Sequence, residues 1–163
     1  MDRREQARGQ LKFVRSYTNG LIEAFPPDKL LAQPTAGANH LLWQVGHLAK
    51  ATNWAANLID ADIAPYPEAM GKLFGTGSAP TTDASAYPPF GEVRAMFDAS
   101  YDDLLGLLDS AAGKTLDEPL PDDSAYAAPN KFGLFAFTAW HEGFHAGQIA
   151  CLRKALGLAP KWA

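Results

Sequence analysis

Two histidines four positions apart, His141 and His145, stand in the last long helical stretch of the chain, Phe137 to Gly157, which reads FTAWHEGFHAGQIACLRKALG. At about 100° per residue, positions i and i+4 of a helix lie on one face, one turn apart. Two imidazoles so placed can close on one transition-metal ion at about 2.0–2.1 Å per bond. The apolar stripe runs through Leu134, Phe137 and Thr138, His141, His145, Gln148 and Ile149, and Leu152, so the pair interrupts the face expected to be buried. Buried ring nitrogens need partners, and one metal ion satisfies both rings. Core histidines bonded to carbonyls or to each other are the alternative that the pair alone leaves open.

His141-Glu142-Gly143-Phe144-His145 also satisfies H-E-x-x-H, the zinc-protease signature in which the glutamate is the general base. The match reads as coincidence. No Asp, Glu or His follows His145, and the extended signature would need Gly and His where Gln148 and Cys151 stand. Cys151 lies about 240° round an unbroken helix from His145 and so faces away. No upstream strand is present to hold a peptide. Glu142, about 100° off the ligand face, is expected at a helix–helix seam or in solvent, with a supporting role behind a ligand left open.

A catalytic ion usually has three protein ligands and an open position. The second helical stretch offers His40 and His47, whose separation corresponds to about 10.5 Å of helix rise, so both cannot bind the same ion. His47 lies mid-helix, at a depth comparable to the pair, and is the better third ligand. His40, at the helix start, is expected to be a terminal histidine with some water access; its functional reading is a group at the pocket mouth.

The elements that must position these residues are helices. The first is expected from about Arg4 to Ala24, with Leu11, Val14, Tyr17/Thr18 and Leu21/Ile22 on one stripe, stopped by Pro26 and Pro27. Asn39 is the expected N-cap of the second, His40 to about Asp60, whose stripe is Leu41, Trp43/Gln44, His47, Ala51, Trp54 and Leu58. The third runs from about Phe90 to Ser110 and is expected to end at Gly113; Asn130 caps the histidine helix, which Gly157 and Pro160 terminate. Residues 61–89 and 114–129 are long connections, the first with a short helical turn near Pro67–Leu73. No alternating strand pattern or repeat appears. The expected fold is all-α: one domain over residues 1–163, a four-helix bundle with long crossover connections that let consecutive helices run parallel.

The 163 residues are 47% hydrophobic and 20% charged, with a net charge of −4 and no dense basic run, which argues for a globular chain and against nucleic acid as its partner. Cys151, the sole cysteine, cannot form an internal disulfide, and no signal peptide or membrane span is legible, so the expected location is the cytoplasm.

The segment His40-Leu41-Leu42-Trp43-Gln44-Val45-Gly46-His47-Leu48-Ala49 resembles the W-x-x-G-H-L-A segment of the second helix in the DinB-like four-helix metalloproteins. His141-Glu142-Gly143-Phe144-His145-Ala146-Gly147-Gln148-Ile149 resembles their fourth-helix H-x-x-x-H-x-G-Q-I segment. The likeness covers the whole chain in helix order and loop placement, but only these two segments are specific. It implies a homodimeric bundle holding a divalent metal, zinc or nickel, on three histidines, which fall here on His47, His141 and His145. Spacing alone had selected the same three. Gln148, one turn beyond His145, is a candidate for a supporting or pocket role, or an ordinary buried amide.

Three neutral imidazoles leave the ion its full charge and one or more open positions, enough to acidify a bound water, polarise a carbonyl or bind a thiol as thiolate. By resemblance, the first expectation is a metal-dependent enzyme of the thiol-dependent S-transferase or isomerase type, using a low-molecular-weight thiol and a small-molecule substrate. Metal-assisted hydrolysis is a second chemistry for the same ligands. The rival outside catalysis is a metal-binding stress-response protein; a chain with no metal is the third. No catalytic acid or base is assigned. Tyr66, Tyr87 and Tyr126 lie in the connections and either line a pocket or cover apolar surface.

Overall fold

The computed structural model describes residues 2–160. Among these it holds six α-helices and no strand: α1 (Arg3–Glu23), α2 (Leu41–Ile59), α3 (Glu68–Phe74), α4 (Phe90–Ser110), α5 (Gly113–Leu116) and α6 (Gly133–Ala155). The four long ones, α1, α2, α4 and α6, form the bundle; α3 and α5 are short helices inside the two long connections.

Side-chain ties fix the helix directions. Arg94, early in α4, donates to Asn19 late in α1 at 3.1 Å, while Arg4 at the start of α1 donates to the Ala111 carbonyl beyond the end of α4 at 2.8 Å. These two helices are therefore antiparallel. Arg153 near the end of α6 donates to the Ala24 carbonyl just past α1 at 2.6 Å, so α1 and α6 are parallel. Gln44, early in α2, meets His145 in the second half of α6, and Trp54, late in α2, meets Phe137 near the start of α6, which makes that pair antiparallel. Hence α1 and α6 point one way and α2 and α4 the other. The 61–89 connection returns the chain along the bundle so that α2 and α4 run parallel, the arrangement that long connections permit.

The apolar residues separate into two clusters. One holds Leu41, Trp43, Val45 and Leu48 of α2 with Phe74, Val93, Phe97 and Ile149; the other holds Ala55, Ala56 and Ile59 with Leu11, Leu104, Leu108, Leu134 and Phe135. Burying each large side chain is worth about 1.5–3 kcal/mol. Helix α2 carries one charged residue, Lys50, and joins both clusters, which explains why most of its circumference is buried.

Several boundaries differ from expectation for physical reasons. The N-cap of α2 is His40, not Asn39: its Nδ1 accepts from the Trp43 backbone N–H at 3.1 Å. Helix α4 stops at Ser110, and Gly113 instead opens α5. Asn130 does serve the start of α6, its Oδ1 accepting from the Gly133 N–H at 3.0 Å. Gly157, at φ 70°, closes that helix: its N–H reaches the Lys154 carbonyl at 3.1 Å, and the Leu158 N–H reaches Arg153 at 2.9 Å.

Candidate metal centre

Helix α6 carries His141 and His145 one turn apart, and antiparallel α2 brings His47 against both. The three ring centroids lie 5.1, 4.8 and 4.7 Å apart (His47–His141, His47–His145, His141–His145), a nearly equilateral triangle. Nε2 of His47 is 3.3 Å from Nε2 of His141. Two nitrogens bound at about 2.0–2.1 Å to one tetrahedral ion stand about 3.4 Å apart, so this pair already has the spacing of two ligands. One nitrogen from each of the three rings can be chosen so that all lie within 4.8 Å of one another.

The opposite ring nitrogens of His47 and His145 settle which atom these two histidines offer. Nδ1 of His47 donates to the Phe74 carbonyl at 2.7 Å, so its Nε2 carries the lone pair. Nδ1 of His145 faces Oε1 of Gln44 at 3.4 Å, and Gln44 is itself oriented by donating to the Asn39 carbonyl at 3.0 Å. Anchors of this kind fix the tautomer and orientation of a metal-binding imidazole. The rings are packed as well: Trp43 stacks on His47 at 4.8 Å and Phe137 stacks on His141 at 5.8 Å.

The rings are held neutral. Burial, with added repulsion from a charge on His47, pushes His141 down to about 4; burial and the neighbouring His141 and His47 push His145 down to about 3. Burial also lowers His47, against the opposing pull of its bond to the Phe74 carbonyl. Neutral imidazole is the ligand form, so the donor set fits a divalent transition-metal ion. Among the described residues no carboxylate or thiol joins the three, which leaves room in the coordination sphere of an ion held there.

The other residues singled out from sequence fall elsewhere. Glu142 is 1% exposed and does not enter the site: it faces the opposite seam and takes a forked ion pair from Arg15 of α1, with contacts of 3.0, 3.2 and 3.0 Å. The protease signature is therefore a structural coincidence. His40 is fully buried rather than water-exposed, with Nε2 3.0 Å from the Thr81 carbonyl and its ring edge-on to Tyr87. Tyr66 bonds to the Met96 carbonyl at 2.7 Å, Tyr87 accepts from the Thr81 N–H at 3.0 Å, and Tyr126, 77% exposed, stacks on Trp54. Gln148 and the exposed Cys151 line a cavity of about 600 Å³ that reaches Gln44 and Phe144 beside His145. A second cleft, about 790 Å³, borders His141 through Phe137 and Trp140. Sequence reasoning missed Gln44 and the Phe74 carbonyl as anchors. Gln44 lies three residues before His47, a spacing that faces both toward α6; a backbone carbonyl leaves no sequence signal.

The DinB superfamily model matches residues 10–149. The chain belongs to the DinB superfamily. Members of that family often bind metal. A comparison with curated proteins found no match. No helix among the described residues is long and apolar enough to cross a membrane.

Proposed function

We propose that His47, His141 and His145 bind one divalent cation, zinc or nickel, through their Nε2 atoms, and that this centre makes the protein a metal-dependent enzyme of the thiol-dependent transferase or isomerase type. The observation that carries the metal reading is the pairing of Nε2 of His47 with Nε2 of His141 at 3.3 Å while Nδ1 of His47 is committed to a carbonyl. An imidazole locked in that tautomer presents a lone pair where two other rings converge. When bound, a divalent ion would acidify a water, polarise a carbonyl or hold a low-molecular-weight thiol as thiolate.

The chain's own groups supply the rest. Phe74 and Gln44 orient two rings, Trp43 and Phe137 restrict ring rotation, and burial keeps all three uncharged at neutral pH. A small-molecule substrate would approach through the clefts beside His141 and His145, whose walls are mainly apolar and aromatic, the usual lining of such sites. Glu142 has no part, since its carboxylate is consumed by Arg15. Three ligands rather than four favour a reactive centre over a structural one. The family likeness supports the thiol chemistry and a homodimeric state, and the single unpaired cysteine supports a cytoplasmic setting.

Cobalt-substituted protein titrated with small thiols tests the reaction class. A new sulfur-to-cobalt charge-transfer band with altered d–d bands supports it. Spectra unmoved by every thiol would place metal-assisted hydrolysis or a non-catalytic metal-binding role ahead.

A further inference from the structure

Helix α3 reaches the metal centre only because residue 46 has no side chain. A β-carbon at Gly46 would lie 2.4 Å from Cδ1, 2.5 Å from Cε1 and 2.7 Å from Cγ of Phe74. Real β-carbons essentially never come so close, and Phe74 is fully buried, so the ring has nowhere to retreat. The backbone carbonyl of this same Phe74 accepts from Nδ1 of His47 at 2.7 Å. Thus the residue next to the ligand admits the ring, and the residue bearing the ring supplies the ligand's anchor.

The segment holding Phe74 is tied to α2 a second time. Trp43, stacked on His47 with 10° between ring planes, donates its Nε1–H to Oγ of Ser78 at 2.9 Å, and Ser78 donates to the Leu73 carbonyl at 3.0 Å. Residues 73–78 therefore grip His47 from two sides, through its Nδ1 and through the ring stacked on its face. The turn that makes this possible needs Gly75, whose β-carbon would meet the Gly71 carbonyl oxygen at 2.3 Å.

We infer that Gly46 is a positioning residue of the metal centre: by seating Phe74 against α2 it delivers the Phe74 carbonyl to Nδ1 of His47, which fixes His47 in the tautomer that offers Nε2. The consequence for metal affinity rests on the reading of the three histidines as ligands. The effect on His47 itself does not. Because anchor and ligand belong to different elements, binding at the histidines and the seating of residues 73–78 are reciprocally linked.

The test uses the full chain in four forms: wild type, Gly46→Ala, Phe74→Ala and the double variant. Two readouts are taken, zinc affinity by competition with a chromophoric chelator and, in metal-free protein, the His47 ring tautomer by nitrogen-15 NMR. Metal-free wild type is expected to show His47 protonated at Nδ1. Gly46→Ala is expected to lose that single tautomer and to bind zinc about 10–100-fold more weakly, the usual cost of losing a ligand's anchor. In the Phe74→Ala background, where the clashing ring is gone, Gly46→Ala should change affinity by less than about twofold, since the two substitutions act through one contact. Equal losses from Gly46→Ala in both backgrounds, or wild-type affinity in Gly46→Ala, would overturn the inference. Should a variant fail to fold, the wild-type spectrum still decides: His47 protonated at Nε2 instead refutes it. A wild type that shows the Nδ1–H tautomer but binds no zinc would refute the metal reading and leave the clamp standing.

Discussion

Replacing Arg15 by leucine removes one half of an ion pair buried between α1, α4 and α6. The guanidinium is 5% exposed and Glu142 1% exposed, and three of its contacts reach the carboxylate at 3.0–3.2 Å. Arg15 also donates to the Phe97 carbonyl at 3.0 Å and lies over the rings of Phe97 and Tyr101 at 3.5 and 4.2 Å. Leucine leaves Glu142 as an uncompensated charge in the seam, and breaking a buried pair this way costs about 3–5 kcal/mol. For a chain of this size, about 2–4 °C is lost per kcal/mol, so the melting temperature should fall by about 6–20 °C. The double variant Arg15→Leu/Glu142→Leu should recover most of that loss, because two apolar groups of similar volume replace the pair without stranding a charge. Glu142→Gln should keep its full complement of zinc. Thermal melts by circular dichroism with metal analysis of each variant measure all of this. A loss below about 1 kcal/mol in Arg15→Leu, or loss of metal in Glu142→Gln, would refute the assignment of Glu142 to the seam and return it to the histidines.

Chelation by EDTA should lower the melting temperature of the wild type and leave His47→Ala unchanged, since an ion bound only by the folded state stabilises it by mass action. Metal-free protein should lose stability as the pH falls from about 6.5 towards 4: the folded values of His141 and His145 lie at about 4 and about 3, below the ordinary value, so the unfolded chain takes up more protons in that window. A variant carrying His141→Gln and His145→Gln should show a shallower fall over the same range, measured by urea melts at several pH values. His40→Ala should cost at least the ~1 kcal/mol of a lost N-cap, and more because its fully buried ring also meets Thr81 and Tyr87. His40→Asn, which can still accept from the Trp43 N–H, should recover part of it in the same melts.

The long helices were legible because their apolar spacing and their proline and glycine punctuation agree with the tertiary packing. Helix α4 runs from Phe90 to Ser110 as its sequence pattern implies. The three histidines were legible because helix geometry limits which of the four can share an ion. What escaped was decided across elements. The spacing places Glu142 at a helix–helix seam or in solvent, and the structure puts it in the seam, because Arg15 of α1 supplies the partner that lets a carboxylate lie inside. No local pattern announces such a pair. Its place at the helix start marks His40 as a terminal histidine, yet the connection folded over it supplies the Thr81 carbonyl and the Tyr87 ring, so it caps α2 from a buried position. The close seat of Phe74 on Gly46 is equally invisible until α3 is in place.

Metal stoichiometry of the purified protein bears most directly on the central claim. After incubation with zinc or nickel and removal of excess, wild type should retain about one equivalent per chain, the occupancy of a single shared site. His47→Ala and His145→Ala should each retain little. A wild type that holds no ion, or substitutions that leave the content unaltered, would contradict the account.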